Sequence, residues 1–172
     1  MTEELRSILL GTAGLSAGAV IALLLTLARG RPQACQTQLR AAVRLGLVAL
    51  LFQTAHFAEE LATGFHRRFP ELLGLTPWSE RFFVGFNLFW LAIWTLSLWG
   101  LAARRWTAMF PLWFLGIGAV ANGVAHPAFS ARTAGYFPGL VTSPLVGIAG
   151  VLLLRQLFAA TAQTEGIESI RE

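Results

Sequence analysis

His56, Glu59 and Glu60 place one imidazole and two carboxylates in a stretch, residues 53–60, whose neighbours along the chain are largely apolar. At roughly 100° per residue on a helix, Glu59 falls about 60° to one side of His56 and Glu60 about 40° to the other. All three therefore share a helical side and can face one cavity. An ionisable group inside a bilayer is costly unless it is paired, hydrated or neutralised. Two adjacent acids beside a histidine call for a compensating partner. Metal coordination, shared-proton acid–base chemistry and proton or ion movement are the chemistries that supply one.

The rest of the chain sets that stretch in lipid. Of its 172 residues, 55% are hydrophobic and only 13% are charged, which is membrane rather than ordinary globular composition. All 13 basic residues are arginine, dispersed between apolar blocks, so the net charge of +4 reads as membrane orientation and not as a nucleic-acid surface. The single cysteine, Cys35, cannot form an internal disulfide. Uncharged runs at 8–27, 82–103, 106–129 and 133–154 are each long enough to cross the hydrocarbon as helices. A fifth crossing at 43–64 carries Arg44, His56, Glu59 and Glu60, and the arginine can snorkel from its end.

The expectation is an all-α, polytopic membrane helix bundle with about five transmembrane helices. One membrane domain, 1–160, precedes a short polar tail, 161–172. The first run is read as a retained span and not as a signal peptide. Its Gly11, Gly14 and Gly18 permit close helix approach. Arginines in the first and third loops and after the last span predict an exterior N-terminus and a cytoplasmic C-terminus. Trp78 and Trp106 suit interfacial anchors. The aromatic third span, from Phe82 to Trp99, serves packing and lipid contact or else lines a hydrophobic chamber.

Alternating crossings bring the far half of the second span, the start of the third, the end of the fourth and the start of the fifth to one level. His56, Glu59, Glu60, Asn122 and His126 then form a candidate site, with Asn87, Arg132 and Tyr136 as substrate or supporting candidates. In a metal site, His56, His126 and Glu60 are ligands for a divalent ion, zinc or iron. Glu59, Glu60 and Asn122 are the candidate catalytic groups: Glu60 as ligand or base, Glu59 moving a second proton, Asn122 orienting the ligand. Without metal, a protonated glutamate and neutral histidine suit acid–base isomerisation. Glu59 has the alternative of pairing with Arg132, and Pro127 that of ending the fourth helix. Arg67, Arg68, Arg81 and Arg132 suit an anionic headgroup, and His66 reads as a surface loop residue.

These stretches resemble the HXXEE family of small bacterial integral membrane proteins. His56 through Glu60 match the name-giving pattern, Asn122 through His126 an Asn-x-x-x-His motif, and Tyr136 through Gly139 a Tyr-x-Pro-Gly motif. Gly123 stands where alanine is frequent after the asparagine. The resemblance covers residues 43–158 and implies a shared polar site in a bacterial cytoplasmic membrane, without naming a reaction. The expected function is a membrane-embedded enzyme acting on a lipid or other hydrophobic small molecule. The alternatives are a proton-coupled transporter, which five helices would serve as a homodimer, and a noncatalytic lipid- or ligand-binding protein.

Overall fold

The computed structural model describes residues 2–162; most of the polar tail, from residue 163, lies outside it. Seven α-helices follow in order: α1 (Glu3–Gly11), α2 (Ala13–Arg29), α3 (Gln36–Thr63), α4 (Phe65–Leu72), α5 (Glu80–Ala102), α6 (Met109–Arg132) and α7 (Ser143–Ala160), with a 3-10 turn leading into α6. Helices α3, α5, α6 with its 3-10 turn, and α7 are long and apolar enough to span a membrane. The α1–α2 pair qualifies as a fifth span bent by 48°. The bundle is therefore all-α and polytopic. The uninterrupted first span expected at 8–27 is instead broken at Thr12, whose hydroxyl folds back onto the Ile8 carbonyl.

Large side chains such as Leu24, Leu27, Leu51, Leu96, Trp99 and Ile148 point outward, as lipid contact requires. The main core lies between α2, α3, α5, α6 and α7, around Trp113, Leu112, Leu153 and Leu157. Glycines let α6 and α7 cross in close contact: a Cβ on Gly123 would stand 2.7 Å from the Gly147 Cα. Gly123 thus has a local partner in Gly147. With backbone on both sides there is no flexible side chain to yield. Gly123→Leu is expected to destabilise the bundle by about 1–3 kcal/mol through overpacking, read as a lower thermal midpoint in detergent.

Helix α3 ends on Gly64, at φ +79°, and α4 turns back to pack against α3 and α1. This places His66 in a helix and buries it, contrary to the expected surface loop. Burial, aided by the Arg67 guanidinium, holds its imidazole below the ordinary histidine value. Trp78 is also buried. Its indole N–H donates to Ser7 Oγ at 3.0 Å, and that hydroxyl donates to the Thr76 carbonyl at 2.6 Å, latching α1 to the loop before α5. Trp106 stays exposed. Helix α6 runs through Pro127 to Arg132, so His126 is inside the helix and not at its end.

Candidate metal centre

Glycine contacts match Gly116 to Gly150 and Gly123 to Gly147, so α6 runs antiparallel to α7. Helix α3 is likewise antiparallel to α7, with Gly46 close to Leu153 and His56 bonded to Thr142. Helices α3 and α6 therefore cross in the same direction, and their histidines meet at one level. His56 and His126 are 0% and 1% exposed, with rings edge to face at a centroid distance of 4.6 Å.

The imidazoles touch through their Nε2 atoms, 3.2 Å apart. Glu60 Oε1 completes a triangle at 3.6 Å from His56 Nε2 and 3.3 Å from His126 Nε2. The ligand atoms of a tetrahedral ion with bonds of about 2.0–2.1 Å stand about 3.3–3.4 Å from one another. The triangle has that size.

What lies behind each ring determines where its proton sits. His126 Nδ1 faces the Pro138 carbonyl, which can only accept, so this nitrogen carries hydrogen. His56 Nδ1 faces Thr142 Oγ1 at 2.7 Å. That hydroxyl lies 2.6 Å from Glu59 Oε2 and gives its own proton to the carboxylate, so it accepts from His56. With both Nδ1 positions protonated in the neutral rings, both Nε2 atoms present lone pairs to each other and to Glu60. Three electron-rich groups converge in a buried space, and a cation is what stabilises them there.

Glu59 faces elsewhere. Its Oε1 accepts from the Tyr136 hydroxyl at 2.7 Å and the Val141 N–H at 3.0 Å; its Oε2 accepts from the Thr142 N–H at 2.8 Å as well as from the Thr142 hydroxyl. It makes no ion pair with Arg132 among the described residues, and Arg132 is exposed at the end of α6. The carboxylate instead holds the turn leading into α7, bonded to the N–H groups of Val141 and Thr142 just ahead of the first helical residue, where the helix dipole also favours an anion. The Tyr-x-Pro-Gly segment thereby acquires a physical reading: Tyr136 donates to Glu59, the Pro138 carbonyl holds His126, and Gly139, at φ +86°, passes beside both rings.

Glu60 and His126 also line an aromatic-walled cavity of about 250 Å³. Of the bulky third-span residues, Phe82, Phe83, Phe86, Trp90 and Trp94 face it, while Phe89 and Trp99 are exposed. Asn87 and Asn122 border it too, Asn87 donating through Nδ2 to the Phe83 carbonyl at 2.9 Å. Two participants escaped sequence reasoning. Thr142 carries no chemistry of its own that would mark it, and Gln53 lines the cavity at 6% exposure. Only Gln53 had a legible signal: it lies three residues before His56 and seven before Glu60, on their side of the helix.

Fold and centre together define a polytopic membrane helix bundle with a buried His/Glu/His cluster able to bind a metal ion. The chain belongs to the HXXEE family: the family described as "protein of unknown function with HXXEE motif" matches residues 47–153. No curated protein and no solved structure matches the chain.

Proposed function

We propose that this protein is a membrane-embedded, metal-dependent enzyme acting on a lipid or another hydrophobic small molecule that occupies the aromatic cavity. The observation that carries the reading is the meeting of two Nε2 lone pairs and one carboxylate beside that cavity, with Glu60 and His126 in its wall. His56, His126 and Glu60 would hold a zinc or ferrous ion, which supplies Lewis acidity and an acidified water when bound. Glu60 borders the cavity, so it is also the group positioned to take a proton from a ligand. Asn122, one helical turn before His126, orients the ligand by hydrogen bonding. Glu59 acts as a positioning residue, holding Thr142 and through it the His56 ring.

Stoichiometric zinc or iron in gently purified wild-type protein, lost in His126→Ala, is the expected result of elemental analysis. Wild-type protein without metal would overturn the reading. The same triangle would then hold a proton between the rings, the arrangement an acid–base isomerase or a proton-coupled carrier uses.

A further inference from the structure

The level just beneath the histidines is built from carboxamides. Gln53 precedes His56 by three residues on α3, and Asn122 precedes His126 by one turn on the parallel α6. On α5, which packs against α3, Phe57 meets Phe83, and Asn87 lies one turn below that contact. All three amides line the cavity. Gln53 is more than nine-tenths buried, its amide takes part in no side-chain hydrogen bond among the described residues, and it borders the cavity, where a ligand oxygen can satisfy it. Asn87 spends one N–H on its own helix, and its carbonyl oxygen has no partner among the described residues.

The charge of the lining narrows the ligand further. Among the described residues Glu60 is its one acidic member, and no arginine borders the cavity. Arg67, Arg68, Arg81 and Arg132, the candidate headgroup binders, all lie off the lining. In the protein stripped of metal, an anionic head brought to this level would meet a carboxylate and, among the described residues, no arginine. Below the amides the walls turn apolar, around Trp90, Trp94, Phe114 and Leu115. From Phe82 to Trp94 the cavity follows α5 for about 18 Å. Its volume of about 250 Å³ suits one chain and not a two-chain lipid.

We propose that the cavity binds an uncharged, slender hydrophobe carrying a hydroxyl or carbonyl oxygen, and that Gln53, with Asn87 and Asn122, reads that oxygen. This names the substrate class of the centre described above and rests on that reading only for the reaction, not for the binding.

Farnesol, farnesyl monophosphate and farnesene share closely related isoprenoid chains and differ in the head, and tryptophan emission with native mass spectrometry of the full chain, stripped of metal by a chelator, would follow their binding. Farnesol is expected to bind saturably at one per chain, and the phosphate at least about tenfold more weakly, because it would bury an uncompensated charge. Gln53→Ala is expected to weaken farnesol about fivefold to tenfold, the worth of one neutral hydrogen bond, and to leave farnesene unchanged.

Gly118 lines the cavity with nothing within 4 Å of where a Cβ would stand, so Gly118→Leu fills the space without an immediate clash and should abolish binding of both neutral probes. Equal or tighter binding of the phosphate, no saturable binding of farnesol, or farnesol affinity indifferent to Gln53→Ala would overturn the inference. Metal analysis of the wild-type samples before chelation separates the two readings: metal without head discrimination in the stripped protein sinks this one alone, and head discrimination without metal sinks only the metal-dependent reaction.

Discussion

Gly139→Ala is expected to lower metal affinity roughly a hundredfold, the upper end of what loss of a supporting contact costs a metal site. The backbone at Gly139 has φ +86°, where an L side chain is strained, and the space is already filled. A Cβ there would lie 2.6 Å from His126 Cε1 and Nδ1 and 2.8 Å from His56 Cε1. Neither ring can retreat freely, because each is held by its Nδ1 bond and the two already touch at Nε2. The loop must therefore shift, and with it the Pro138 carbonyl that orients His126. The main core around Trp113 and Leu153 is a separate cluster, so helix content by circular dichroism should be close to wild type. Competition with a chelating indicator measures the affinity, and a variant that binds zinc as tightly as wild type would contradict the ring-packing argument.

Thr142→Val should cost about ten- to a hundredfold in metal affinity while keeping nearly the same volume, because the hydroxyl is the link between Glu59 and His56. Valine leaves the His56 Nδ1 hydrogen without an acceptor. Glu59→Gln reaches the same end by reversing the proton order. With an amide N–H turned toward Thr142 Oγ1, the hydroxyl donates to His56 Nδ1, and the ring's hydrogen moves to Nε2, where it blocks the ligand position. The histidine ¹⁵N shifts of metal-free protein should report that exchange in Glu59→Gln, and Thr142→Ser, which retains the hydroxyl, should restore most of the affinity. Unchanged shifts in Glu59→Gln with wild-type affinity would reduce the carboxylate to a support for the turn into α7.

Much of the architecture is local in origin and so was open to sequence reasoning. Runs of 20 or so uncharged residues have few stable forms in lipid besides a helix, since every backbone polar group must be satisfied within the segment. The helical repeat put His56 and Glu60 on one side, and Asn122 and His126 on one side, before any fold was known. The bend at Thr12 was not legible, because it depends on α1 latching to Trp78 and Thr76, more than sixty residues away. Nor was the burial of His66. It follows from α4 folding back against α1 and α5, whereas its neighbours Arg67 and Arg68 argue locally for a solvated loop.

Glu59 and Glu60 show the division most sharply, since adjacent identical residues have no sequence signal that tells them apart. Their angular separation of about 100° sends one toward α6 and the other toward α7. Only the packing of those two helices makes Glu60 a partner of the imidazoles and Glu59 the anchor of the turn into α7. By itself the sequence determined that this chain is a membrane helix bundle with its ionisable groups gathered near one end of the spans, because hydrophobic length and helical periodicity are properties of single segments. Tertiary structure alone decided which nitrogen of each histidine is free and which acid faces it, because those depend on a carbonyl, a hydroxyl and a glycine delivered by the loop between α6 and α7.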